Sequence, residues 1–163
     1  MQIEVNREIA APVERVWEIV TDLSRSPEVM SSITRIEVLE GADEFAVGTR
    51  WRETRTMFGR DATEEMVVTD LVPGRSYTVV AHSAGTDYRS TLAVTASGDH
   101  GSLLRMTFSG EPTSAVSRVM SATIGRLFLG ATRAAVEQDL SDIASAAESD
   151  EGPAESGGRP AGP

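Results

Sequence analysis

Three side chains in this sequence have the chemistry to move a proton or orient a polar group: His82, Arg55 and Tyr88. His82 is one of only two histidines, and a ring that titrates near neutral pH can act as acid, base or hydrogen-bond donor. It lies on a predicted strand with Thr78 and Val80 on the same side. Turned inward it would meet a ligand; a histidine near a strand end is otherwise a plain surface group. Arg55 belongs to the run TRWRETRTM, in which Thr49, Trp51, Glu53 and Arg55 share one face and Arg50, Arg52, Thr54 and Thr56 the other. If Trp51 points inward, Glu53 and Arg55 follow it, and a buried pair of opposite charge is tolerable only when matched. The competing reading is a solvated charged face crossed by one aromatic that packs in ordinary core. Tyr77 and Tyr88 carry hydroxyls that parity assigns neither to a ligand nor to water. His100, within Gly98-Asp99-His100-Gly101, is a turn residue.

Other chemistries lack their residues. There is no cysteine, so disulfides, thiolate metal sites and cysteine nucleophiles drop out together. Two histidines, one in a turn, leave no zinc spacing, and the acids show no calcium-loop pattern. There is no Gly-x-Ser-x-Gly and no Gly-rich loop leading from strand to helix. No metal and no cofactor are expected. The formal charge is -10, with 25 acids against 15 basic residues, all of them Arg, and no basic run or face stands out. Such a chain repels a phosphate backbone, so nucleic acid is not expected as a partner. The N-terminus is not a secretory signal and no stretch reaches the ~18 apolar residues of a membrane span, which predicts a cytoplasmic protein without stable membrane insertion, monomer or homodimer.

The elements that must position these groups follow from periodicity. Gln2 to Ala10 alternates apolar residues with one slip at Arg7, as an opening strand. Pro12 starts a helix over 12 to 22, with Val13, Val16, Trp17 and Val20 on one face, and Ser26-Pro27 starts a shorter one to about Ser32. From Ile33 the period changes to two. Strands are predicted at Ile33 to Leu39, Thr49 to Met57, from the turn at Phe58 to Asp61 up to about Leu71, Ser76 to Ser83, Tyr88 to Ala96 and Ser102 to Gly110, joined by short turns. Ser114 to Ala147 then reads as one long helix, with Val116, Met120, Ile124, Leu127, Ala131 and Ala135 in a stripe. Seven strands and short connections imply an α+β fold with an antiparallel sheet over the long C-terminal helix. A cavity between helix and sheet follows from their imperfect fit. Gly125 and Gly130, inside the helix, are expected to mark a bend or to make room for a ligand. One domain spans residues 1–147, and 148–163, ESDEGPAESGGRPAGP, is a disordered acidic tail rich in Gly and Pro.

The segment Ala11-Pro12-Val13-Glu14-Arg15-Val16-Trp17-Glu18-Ile19-Val20-Thr21-Asp22, followed by Gly48-Thr49-Arg50-Trp51, Gly59-Arg60 and Val68-Thr69-Asp70-Leu71-Val72-Pro73-Gly74-Arg75, resembles the polyketide cyclase/dehydrase and lipid-transport family of the START and Bet v 1-like superfamily, SRPBCC. The resemblance covers residues 2 to about 146. It implies a helix-grip fold: a curved seven-stranded antiparallel sheet gripping the C-terminal helix, two short helices after the first strand, and a hydrophobic ligand cavity. Members include aromatase/cyclases, carriers of lipids, sterols or quinones, receptors and co-chaperone domains.

The expected function is binding of a small hydrophobic molecule, polyketide, lipid or quinone-like, as a carrier. The alternative is a polyketide cyclase/aromatase or dehydratase in which His82, Arg55 and Tyr88 transfer protons, since the resemblance implies cyclases that fold a reactive chain and protonate it. A co-chaperone or regulatory interaction domain is the third reading. The expected ligand-binding set is Trp51, Met57, Met66, His82, Tyr88, Met106, Phe108, Met120, Ile124 and Phe128. Methionine suits such a lining because it adapts to irregular apolar shapes, although ordinary core is its commoner use.

Overall fold

The computed structural model describes residues 1–57 and 59–149, apart from the side chains of 116, 117 and 119–127. The chain opens with strand β1 (Gln2–Ile9), then helix α1 (Val13–Thr21), a 3₁₀ turn (Leu23–Arg25) and helix α2 (Ser26–Val29). Six strands follow: β2 (Ile33–Glu40), β3 (Arg50–Met57), β4 (Arg60–Val72), β5 (Ser76–Ser83), β6 (Thr86–Ser97) and β7 (Gly101–Pro112). Helix α3 (Ala115–Glu148) is the last described element. This is the element order expected from the sequence.

Small differences lie at the boundaries. Pro12 is the residue before the first turn of α1 and not its first helical position. Ser26 and Pro27 lie inside α2, and Asp22 takes the capping role upstream, accepting from the backbone N–H of Ser24 at 3.1 Å. Glu148, expected in the tail, still belongs to α3, and its carboxylate accepts the backbone N–H of Ala10 at 3.0 Å. Residues 150–163 lie outside the described residues.

The seven strands form one antiparallel sheet in the order β1-β7-β6-β5-β4-β3-β2. Strands β1 and β2, neighbours in sequence, therefore sit at opposite edges, and α1 and α2 carry the chain from one to the other. The main core lies where the C-terminal half of α3 meets the first and last strands. Val136, Leu140, Ile143, Ala144 and Ala147 are buried with Ile3, Val5 and Ile9 of β1, Leu92 and Val94 of β6, Leu104 of β7, and Val16, Ile19 and Val20 of α1. Each of the Val, Leu and Ile side chains contributes roughly 1.5 to 3 kcal/mol when fully buried. A second cluster gathers at the other edge around Trp51, Val68 and Val79. Between the two, the described side chains leave an open space.

The described half of α3 corrects the predicted stripe by one position. Its fully buried line runs through Thr132, Val136, Leu140, Ile143 and Ala147, with Ala131 and Ala135 half-buried beside it. The buried face also carries two polar residues. Thr132 lies on the buried face because its hydroxyl donates to the carbonyl of Phe128 at 2.8 Å, and Asp139 lies there because it has charged and hydroxyl partners described below. Gly130 is exposed, and a side chain there would meet nothing within 4 Å, so it makes no room for a ligand; the side-chain position of Gly125 lies outside the described residues.

Candidate functional site

The space between sheet and helix is a partly open cavity of about 330 Å³, within the size range of sites for small molecules. Alternation along each strand decides what reaches it. From β3 come Trp51, Glu53, Arg55 and Met57, the face that the run TRWRETRTM predicts; from β4, Glu64 and Met66; from β5, Tyr77 and Val79. Tyr88, Ser90 and Leu92 follow from β6 and Met106 and Phe108 from β7. Helix α3 supplies Phe128, Thr132, Ala135, Val136 and Asp139, while Val20, Leu23, Ser26 and Met30 close the end beneath α1 and α2.

Among the residues expected to bind ligand, Trp51, Met57, Met66, Tyr88, Met106, Phe108 and Phe128 line this cavity. Trp51 is 5% exposed, so it is at once core and wall. Phe128 is 39% exposed and stands at the rim. The Tyr88 and Phe108 rings stack with centroids 5.6 Å apart. Gly110 pairs with Tyr88 across β6 and β7, and a β-carbon there would lie 3.1 Å from the Tyr88 ring; the bare backbone lets that ring lie flat on the strand. Met120 and Ile124 belong to α3, with side chains outside the described residues.

His82 is the exception. It keeps the predicted parity with Thr78 and Val80, but the cavity face of β5 is the one carrying Tyr77 and Val79, so His82 points outward. Its Nδ1 lies 2.6 Å from Oδ1 of Asp87, its partner in the β5–β6 pairing, and both side chains are well exposed, at 62% and 65%. It does not meet the cavity, and neither a binding nor a proton-transfer role at this site is open to it.

One corner of the cavity is ionic. Arg55 donates through Nε to Oε1 of Glu53, and through Nη1 to Oδ2 of Asp139 at 2.6 Å and to Oγ of Ser32 at 2.9 Å. Ser32 in turn donates to Oδ1 of Asp139 at 2.9 Å, and the Trp51 indole Nε1 donates to Oε2 of Glu53 at 3.2 Å. Both Glu53 and Asp139 are buried, at 7% and 4% exposure. Neither acid is tolerable there without the guanidinium and the neutral donors around it. One turn along α3, Asp142 accepts the Ser31 backbone N–H at 2.8 Å and its hydroxyl at 2.7 Å. The segment after α2 is thus pinned to α3 by consecutive serines.

Charge and burial set the acidities. Burial disfavours the Arg55 cation, but attraction to Glu53 and Asp139 outweighs it and holds its pKa above the ordinary value. Burial pushes the Asp139 carboxyl up by more than Arg55 and Ser32 pull it down, and nearby Glu53 adds to the rise. Burial also raises the Tyr77 hydroxyl, which donates to the carbonyl of Val20 at 3.2 Å. For Asp139 the folded protein binds its proton more readily than the unfolded chain, so ionisation of this group lowers stability as pH rises from 3.8 through its folded-state value. In paired urea titrations, wild type is expected to lose stability relative to Asp139→Asn as pH is raised from about 4 to about 7. A gap between the two proteins that stays constant over that range contradicts the assignment.

Asp139, Glu64 and Ser32 are absent from the residues singled out by sequence. A signal for Asp139 existed: one more step of four beyond Ala131 and Ala135 lands on it.

Several solved structures share this architecture. A protein from Thermus thermophilus superposes with a TM-score of 0.75 at 17% identity, over 90% of this chain and 97% of that one. The Zhui aromatase/cyclase from Streptomyces sp. R1128 gives 0.76 at 16% identity, over 91% and 93%. A START superfamily protein from Mycobacterium smegmatis gives 0.65 at 16% identity, over 90% and 94%. At these identities the likeness is one of fold. No curated protein matches the chain by sequence. No helix among the described residues is long and apolar enough to cross a membrane. The sheet gripping α3 is the helix-grip arrangement of these structures, and a family model described as polyketide cyclase / dehydrase and lipid transport matches residues 1–148: the chain belongs to that family.

Proposed function

We propose that the protein binds one small, mostly apolar molecule between the sheet and α3, as a carrier or binding protein, with the polar end of the molecule toward the charged side chains of the cavity. The observation that carries this reading is the composition of the wall. Methionine, aromatic and aliphatic side chains surround a cavity of about 330 Å³, and Glu53, Arg55 and Asp139 meet in one hydrogen-bonded corner of it. Apolar surface removed from water supplies affinity, and a few polar groups supply orientation. The test is fluorescence titration of purified protein with N-phenylnaphthylamine, an apolar dye, together with native mass spectrometry. Saturable uptake of one dye per chain is expected, with at least about tenfold weaker uptake by Met106→Trp, whose indole fills the space. Wild-type protein that takes up no dye and retains no apolar molecule would overturn it.

A second reading, polyketide cyclase/aromatase or dehydratase, is favoured by one specific observation. Asp139, a buried carboxyl with its pKa held up, shares the cavity with the guanidinium of Arg55 and the hydroxyl of Tyr88. Such a set can donate and accept protons beside an apolar chain. The aromatase/cyclase among the similar folds supports this class of chemistry. His82 takes no part in either reading.

A further inference from the structure

We infer that the cavity selects a ligand whose polar end is a cationic amine, and that Glu64 receives it. The inference rests on the reading that the cavity holds an apolar molecule, and concerns which one.

Among the described residues, four charged side chains line the space: the acids Glu53, Glu64 and Asp139 against Arg55 alone. An arginine in an apolar cavity would ordinarily mark a site for a carboxylate. Here the guanidinium is already shared, since Nε serves Glu53 and Nη1 serves Asp139 and Ser32. An anion arriving at that corner meets two carboxylates as well as the cation, and gains little.

Glu64 is in the opposite situation. It stands directly across from Glu53 in the β3–β4 pairing, on the cavity face and half-buried, and among the described residues no hydrogen bond or ion pair engages its carboxylate. Like charges directly opposite on paired strands repel. Its neighbour Glu65 points to the other face and is paired with Arg50 at 2.9 Å, so of these two consecutive acids the outer one is satisfied and the inner one is not. A ligand ammonium beside Glu64 would gain a charge-assisted hydrogen bond and relieve the repulsion from Glu53. Met66, Met106 and the stacked rings of Tyr88 and Phe108 would hold an apolar body next to it.

The experiment compares naphthylethylamine, naphthylethanol and naphthylacetate, which share a body and differ in the end group, by calorimetry on the full chain at neutral pH. The amine is expected to bind about tenfold more tightly than the alcohol, and the carboxylate more weakly than either. Glu64→Gln is expected to bring the amine to within about threefold of the alcohol, whereas Glu65→Gln, the same charge change on the outer face, keeps the preference. An alcohol or carboxylate that binds wild type as tightly as the amine overturns the inference and leaves the cavity reading standing. A preference that survives in Glu64→Gln overturns the role of Glu64. If none of the three binds although the dye does, the inference falls and the cavity reading stands; if the dye is not taken up and no apolar molecule is retained either, both fall.

Discussion

Replacing Arg55 with leucine is expected to destabilise the protein by about 3 to 5 kcal/mol, because removing one partner of a buried ion pair strands the others. Glu53 and Asp139 are 7% and 4% exposed, and without the guanidinium they keep only Trp51 and Ser32 as donors among the described residues. The companion change decides the cause. In the triple variant Arg55→Leu, Glu53→Gln, Asp139→Asn the stranded charges are gone, and most of the loss should be regained, since neutral groups of similar shape commonly match a buried ion pair. Urea denaturation at neutral pH measures both. Arg55→Leu as stable as wild type, or a triple variant no better than the single one, would show that the ionic corner does not hold the fold.

The second large effect is expected at Leu140, which is 1% exposed on the buried line of α3. It packs in the cluster that joins α3 to β1, β6, β7 and α1. Leu140→Ala removes buried methyl groups and leaves a hole that the sheet on one side and α1 on the other cannot collapse into, at a cost of about 2 to 5 kcal/mol. Tyr88→Phe, which removes only a hydroxyl without a hydrogen bond to the described residues, should change stability by less than about 1 kcal/mol in the same assay. Leu140→Ala losing less than Tyr88→Phe would mean that the helix is not seated as described.

How much of this was legible depended on whether a position is set locally. The face shared by Trp51, Glu53, Arg55 and Met57 is local: once β3 exists, alternation puts all four together, and they line the cavity. The strand count was likewise legible, because the period of two and the turn residues repeat from Ile33 to Gly110. His82 shows where alternation stops. It groups His82 with Thr78 and Val80 correctly, but which side of β5 faces the helix is set by the whole sheet, and Thr78 is buried on the outer face, bonded to Thr91 at 2.9 Å. A strand with buried residues on both faces gives no sign of its direction. Asp139 was hidden for another reason. An acid on a helix reads as solvated, and its partners, Arg55 and Ser32, are far off in sequence and adjacent only after folding.

The strand order also bears on how the chain reaches this state. Gln2 pairs with Ser109, and Ile9 with Ser102, so β1 has no place in the sheet until β7 has emerged from the ribosome. Strands β2 to β7 can zip up as successive hairpins, each with its neighbour in sequence, but closing the β1 edge requires a loop spanning most of the domain. Such long-range pairing puts folding in the slow regime, roughly milliseconds to seconds. Until then Ile3, Val5 and Ile9, buried in the finished fold, lack the strand that covers them, and it is β1 rather than β7 that stands in want of protection during synthesis.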